Sequence, residues 1–233
     1  MSRVCGDCQL CCRLLPTAEI DKPALLRCPH QKHGVGCAIY ANRPMSCQLW
    51  SCRWLMDQPG TRDLPRPDRA NYVVDSFPDF ITMVPDDGST PAHIEVIQVW
   101  VDPNYKDAHR AASFRTWLEG QGKPAIIRYD AREGFILFPP CTTGGRGFVE
   151  YHDSKPAGRE HTLEEKAAAL GGTLEIDIES DDGAYRTTLK LGDRDYSAGT
   201  LQAPPELARV ALTNARKIAG ERRAILTEIK EGE

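Results

Sequence analysis

The sequence predicts an α+β protein. A small, metal-stapled, cysteine-rich region comes first, followed by an α+β domain of antiparallel hairpins that closes on a long C-terminal helix. Three observations carry this expectation. Eight of the nine cysteines fall between Cys5 and Cys52. Pro59, Gly60, Pro65 and Pro67 crowd the stretch Asp57–Asp68 and forbid a regular element there. Beyond it, alternating apolar runs separated by turn residues are interrupted by helix-period segments, which argues against a doubly wound parallel sheet. The expected organisation is a cysteine-cluster metal-binding domain at 1–57, a linker at 58–68 and an α+β domain at 69–233.

The elements follow in order. Asn71–Val74 and Asp79–Val84 read as two short strands joined through Phe77-Pro78. His93–Val101 is rich in β-branched residues, with Ile94, Val96, Val99 and Val101 as candidates for burial. A helix then begins after Asp102, which can cap it. Pro103 suits its first turn and Gly120 or Gly122 its end, and Ala108, Ala111, Phe114 and Leu118 are helically spaced. Ala125–Tyr129 and Phe135–Phe138 flank a turn at 130–134 and form a hairpin. Thr162–Leu170 is a helix closed by Gly171-Gly172. Leu174, Ile176 and Ile178 alternate on one strand, and Tyr185, Thr187, Leu189 and Leu191 on the next, with a turn at Asp181-Asp182-Gly183. Pro204–Ile229 is the last helix, with Leu207, Ala211, Ile218, Ile225 and Ile229 on one face.

Composition narrows the classes. Of the 233 residues, 41% are hydrophobic and 27% charged, as in a soluble globular protein. No stretch approaches the roughly 18 apolar residues of a membrane span. The start Met-Ser-Arg-Val-Cys lacks the apolar region of a secretory leader. The expectation is therefore a cytoplasmic protein whose thiols stay reduced. Residues 1–57 carry seven Lys/Arg against four acids, a net of +3, so the remainder holds −7 of the overall −4. Basic patches can bind nucleic acid. Here the cations are better read as offsetting bound thiolates, because four thiolates around a divalent metal leave an excess of negative charge.

The cysteine spacing opens three chemistries. An even count of eight suits a disulfide framework. Against that, adjacent Cys11 and Cys12 sit about 3.8 Å apart at Cα, short of the roughly 4.4–6.8 Å that disulfides prefer. Zinc favours Cys-x2-Cys knuckles such as Cys5/Cys8, because a tight turn aims two sulfurs at one ion. Eight cysteines could make two four-sulfur sites or one two-metal site. An iron–sulfur cluster is the third reading, since Cys5-x2-Cys8-x2-Cys11 matches the first three ligands of a ferredoxin-type run. The pairing of Cys5, Cys8, Cys11, Cys12, Cys28, Cys37, Cys47 and Cys52 stays open.

The opening Cys5-x2-Cys8-x2-Cys11-Cys12, then Cys28, Cys37-Ala38-Ile39-Tyr40, Arg43-Pro44-x2-Cys47 and Cys52, resembles the YkgJ-type cysteine-cluster family over about residues 3–54. That family is described as a zinc- or iron-chelating domain, and the resemblance implies that those eight cysteines are its metal ligands. Flagellin lysine methylases are similar in a related motif, which for them implies an iron–sulfur cluster. Residues 60–233 carry no such resemblance.

Other residues have plainer readings. Arg43 before Pro44 starts a turn and can donate to sulfur or to a carboxylate. Tyr40, Trp50 and Trp54 read as packing for a small core. His30 and His33, in a Pro/Gly-rich loop, read as solvated histidines rather than ligands. Cys141 reads as a buried, inert thiol. No nucleotide loop, serine–histidine–acid set or carboxylate pair stands out beyond residue 60, so no enzyme activity is claimed. The functions that survive are a metal-binding module, an iron–sulfur redox protein or enzyme, and a metal-handling protein. Metal is the expected partner. A membrane is not expected, and nucleic acid is disfavoured.

Overall fold

The computed structural model describes residues 3–44, 47, 50–56, 60–85, 87–129, 134–152, 168–169, 174–181, 184–191 and 194–201. Helices and strands mix in it as an α+β chain does. Its described helices are α1 (Leu10–Leu14), α2 (Arg53–Met56), α3 (Pro67–Ala70), α4 (Ala112–Gln121) and α5 (Pro140–Thr143). Strands β1 (Gln31–Lys32) and β2 (Gly36–Cys37) form a short hairpin. The frame is a five-stranded sheet in the order β3-β4-β5-β6-β7, made of Tyr72–Met83, Ala92–Val101, Ala125–Arg128, Gly134–Phe138 and Val149–Tyr151. A second sheet pairs β8 (Leu174–Asp181), β9 (Ala184–Leu191) and β10 (Arg194–Leu201), all antiparallel. The helix expected at Thr162–Leu170 lies outside the described residues apart from Ala168 and Ala169, and the long helix expected at Pro204–Ile229 lies wholly outside them.

The two expected strands at Asn71–Val74 and Asp79–Val84 are one strand, β3. Val74 pairs with Val99 and Pro78 with Ile97, so extra residues of β3 bulge between those pairs. Pro78 has no N–H to give a ladder, and a bulge lets the chain pass it without breaking the strand. The hairpin β5–β6 is antiparallel as read. Strands β4 and β5, however, run parallel. A parallel pair needs a crossover, and residues 102–124 supply it with α4.

That crossover is less helical at its start than its periodicity suggests. Pro103–Tyr105 and Ala108–Arg110 are 3-10 turns, and the α-helix begins only at Ala112. Asp102 does cap the first turn, accepting from the Asn104 N–H at 3.0 Å. The Lys106 carbonyl would accept from Arg110 in an α-helix, but it lies 2.9 Å from the His109 ring Nδ1, and the Arg110 N–H turns to Asp107 instead. Ala111 is then extended (φ −56°, ψ 136°). The helix ends at Gly122, whose left-handed φ of 63° lets its N–H close on the Glu119 carbonyl.

Both faces of the sheet are covered. On one, Val74, Ile97, Val99, Val101, Ile127 and Leu137 pack against Phe114, Trp117 and Leu118 of α4. On the other, Val73 and Trp100 pack against Leu10, Leu14, Leu15 and Cys52 of the cysteine region. Val96 through Val101 are therefore buried without a break, which is why the alternation of β4 looks loose in the sequence. The apolar residues of 1–57 thus share a core with strands from 69–233.

At the far rim, His109 is 1% exposed and touches the rings of Phe135 and Tyr129. Its Nε2 lies 3.5 Å from Glu150, which also meets Arg110 and His152. Burial depresses the His109 pKa, and this outweighs the pull of Glu150. A base held neutral in this way stabilises the fold above its unfolded pKa of about 6.5, and that contribution is lost as pH falls below it. Denaturant titrations at successive pH values should show stability dropping as pH falls below about 6.5. His109→Gln should flatten that slope, and an unchanged slope in the variant would assign the effect elsewhere.

Candidate metal centre

The candidate centre is built from the first turn upward. The Cys8 N–H bonds to the Cys5 carbonyl at 3.0 Å, and Gly6 takes φ 53° to close the turn. The Cys5 thiol also reaches the Cys8 carbonyl at 3.7 Å. Hairpin β1–β2 folds against this turn. A Cβ on Gly36 would lie 2.5 Å from the Gly6 carbonyl oxygen, so only glycine permits the approach. Gln9 fastens the hairpin further, donating to the Lys32 carbonyl and accepting from Gln31 Nε2 at 2.6 Å.

Helix α1 carries Cys11 and Cys12 between the buried Leu10 and Leu14. The Cys12 carbonyl accepts the Cys28 N–H at 3.2 Å, and the Cys28 carbonyl accepts from Gln31. Cys37 lies opposite Gln31 on β2. The Cys47 N–H closes a turn on the Pro44 carbonyl, and its sulfur lies 3.9 Å from the Thr17 hydroxyl. Cys52 opens α2, its carbonyl accepting from Leu55 and Met56. Cys8 and Cys52 are buried, and the other six are partly buried. All nine cysteines carry free thiols.

The eight thiols sense one another in two overlapping sets. Cys11 hydrogen-bonds to Cys12 and Cys5, and these bonds together with burial push it well up. Cys5 is lowered by its bond to Cys11, against the cost of burial, with Arg43 and Arg66 also favouring its thiolate. Burial raises Cys8, which neighbours Asp68 and Cys5. Burial pushes Cys52 up to about 12, with Cys8 and Cys5 adding to the rise. Cys37 is raised first by burial and then by Cys12, Cys28 and Cys47. Cys5, Cys8, Cys11 and Cys52 are linked by these influences, Cys12, Cys28 and Cys47 act on Cys37, and the two sets overlap at Cys12, which acts on Cys11 and Cys5 as well.

This donor chemistry suits a soft metal, since thiolates are the ligands that zinc and iron–sulfur clusters take. Among the described residues, no three His, Cys, Asp or Glu side chains converge as a metal site. Four sulfurs at about 2.3 Å from a tetrahedral zinc would stand roughly 3.8 Å apart. The rings of His30 and His33 make no hydrogen bond among the described residues.

Three participants were illegible in the sequence. Arg66, from the stretch read as a linker, forks onto Asp68 at 2.7 Å through Nε and Nη2 and also bonds Asp7, which brings it beside Cys5. Arg3 donates to the carbonyls of Trp54, Thr61 and Arg62 at 2.8, 2.9 and 2.7 Å. Arg13 forms a two-pronged ion pair with Asp102 at 2.7 and 2.9 Å. Arginine beside proline or between cysteines has no spacing signature, and only the fold reveals its partners. Trp50 and Trp54 do pack against the shared core, but Tyr40 is 51% exposed beneath the Arg43 guanidinium, 4.0 Å from its ring centroid. Cys141, expected buried, is exposed, with its sulfur 3.4 Å from the Glu119 carbonyl. It lies outside both thiol sets.

No helix among the described residues is long and apolar enough to cross a membrane. Comparison with protein families, with curated proteins and with solved structures finds no match.

Asp102 is 2% exposed, so removing its cation strands a buried charge. Arg13→Ala should cost about 2 kcal/mol in urea denaturation, below the 3–5 kcal/mol of fully enclosed pairs because Arg13 is 37% exposed. A loss under 0.5 kcal/mol would show that the pair does not hold the two segments together.

Proposed function

We propose that the N-terminal region is a thiolate metal-binding module that takes zinc or an iron–sulfur cluster. Cys12, Cys28, Cys37 and Cys47 serve as one ligand set, and Cys5, Cys8, Cys11 and Cys52 as the other. The observation that carries this reading is that eight free and at least partly buried thiols lie within residues 5–52, on segments fastened to one another by bonds such as Cys8 to Cys5 and Cys28 to Cys12. Free cysteines serving only as core residues have no reason to gather, because each thiolate raises the cost of ionising the next.

The chain's own residues prepare the region for such a guest. The bond to Cys11 lowers Cys5 most, with Arg43 and Arg66 also favouring its thiolate, so Cys5 ionises more readily than the thiols that burial raises. Burial, and for Cys11 first its bonds to Cys12 and Cys5, raises Cys8, Cys11, Cys37 and Cys52, so a metal that binds there must displace their protons. Binding would draw the sulfurs of each set closer, so metal affinity and local folding are coupled. Bound metal supplies soft Lewis-acid or redox chemistry. The residues named here hold, orient and charge-balance it.

Elemental analysis and visible absorption of anaerobically purified full-length protein test the reading. Zinc would appear as a colourless protein with about two ions per chain, and a cluster as a brown one with iron and sulfide. Cys37→Ser and Cys52→Ser should each lower the metal content by about half, while Cys141→Ser leaves it unchanged. Metal-free protein with eight titratable thiols would overturn the proposal. Equal metal content in Cys37→Ser, Cys52→Ser and the parent would overturn the ligand sets.

A further inference from the structure

Strand β3 leaves its ladder at one place, and there it meets the cysteine segment. Its pairing with β4 shifts between Val74 and Pro78, so Asp75, Ser76 and Phe77 lie in the bulge. Asp75 is 5% exposed. A carboxylate so buried needs hydrogen-bond partners, and Asp75 finds them on either side of Cys52. The Trp50 Nε1–H donates to Asp75 Oδ1 at 3.0 Å. The Arg53 Nε–H donates to the Asp75 backbone carbonyl at 3.2 Å, an acceptor that the bulge releases from the ladder.

Cys52 follows Trp50 by two positions and directly precedes Arg53. It is buried, and its carbonyl accepts from Leu55 and Met56. Its sulfur accepts from the backbone amides of Leu55 and Trp54, in the first turn of α2. The sulfur therefore moves with α2, and Arg53 moors α2 to strand β3. Trp50 and Cys52 share the apolar core around Trp100. Apolar contact alone lets a segment slide and turn, whereas directional bonds to both flanks of one residue fix its position and its rotation.

We infer that Asp75 is a positioning residue of the metal centre: by holding Trp50 and Arg53 it sets the place of Cys52 as a ligand, and it makes metal affinity depend on strand β3. The inference rests on the thiolate reading above. Asp75 acts through the neighbours of Cys52 and not as a ligand. It lies beyond the cysteine segment, in what reads from the sequence as a connection between two strands, so the sheet takes a share in the site. Groups that orient metal ligands from behind account for about ten- to a hundredfold in affinity.

The test is a titration of the reduced full-length chain with cobalt(II) in the absence of oxygen, followed by the near-ultraviolet sulfur-to-cobalt charge-transfer band, which grows with the thiolates bound. Cys52→Ser identifies the cobalt that this sulfur holds. Asp75→Ala should weaken binding of that ion about tenfold and leave the remainder of the band. Asp75→Asn keeps an oxygen for the indole and should bind more tightly than Asp75→Ala. Added to Cys52→Ser, Asp75→Ala should cause no further loss, because both act on one ligand. Should Asp75→Ala fail to fold, Trp50→Phe keeps a ring in the core, removes the same bond from its other end, and is held to the same outcomes. A parent chain without the band, or a band indifferent to Cys52→Ser, overturns the ligand assignment and this inference with it. A parent band whose cobalt affinity Asp75→Ala leaves unchanged overturns this inference alone, as does an equal loss in the Cys52→Ser background.

Discussion

The cysteine segment owes its position to one seam on the sheet. Trp100 is fully buried there, walled by Leu10, Leu14, Leu15 and Val73, with the Arg128 guanidinium 5.8 Å from its ring centroid. Beside it, Arg13 reaches across to Asp102. Burying a large indole contributes a few kcal/mol, and the neighbouring ion pair adds direction that apolar contact lacks. Because Arg13 directly follows Cys12, the pair that seats α1 also fixes the two adjacent cysteines, of which Cys11 packs against that same core. Asp102 in turn ends β4 and caps the first crossover turn. One carboxylate thus coordinates the end of a strand, the start of the crossover and the seat of the thiol cluster.

This arrangement changes what a metal would be asked to do. A segment with so few aliphatic residues reads, in isolation, as one that folds only around its ion. Here it borrows a wall. Val73 and Trp100 complete its core from outside, and Lys22 stitches its interior by donating to the carbonyls of Arg13 and Pro23. These contacts hold the backbone against the sheet without calling on an ion. Among the described residues the sulfurs nonetheless do not converge in threes as a metal site does. Like-charge repulsion and burial both oppose ionising them together, and only a cation offsets that opposition.

What could be read beforehand follows from the range of the forces involved. The strand and helix periods of β4, β5, β6 and α4 are local, so alternation and Gly122 announced them. The 3-10 start of the crossover was not legible, because it depends on the His109 side chain reaching the Lys106 carbonyl from a buried site. The parallel pairing of β4 with β5 depends on where the crossover lands. Strand β10 was missed because Gly199 and the short polar run before it mask its alternation, and its register with β9 shifts between Ser197 and Gly199. For the candidate site, cysteine identity and spacing exposed the sulfurs at once. Their links to one another, and the cations Arg43 and Arg66 beside Cys5, required the third dimension. Trp100 looked like one more strand residue, and nothing in its neighbours betrays that the cysteine segment rests on it.

Arg3 has one more effect. By gripping three carbonyls between residues 54 and 62, it ties the beginning of the chain to the exit of the cysteine segment and turns residues 3–62 into a closed ring fastened without a covalent bond. Ring closure removes conformational freedom that an open segment would keep. A backbone cut within the exposed stretch around Val35 would then leave two pieces still clasped to each other, one through Arg3 and α1 and the other through α2. The integrity of the segment thus rests on the clasp as well as on chain continuity.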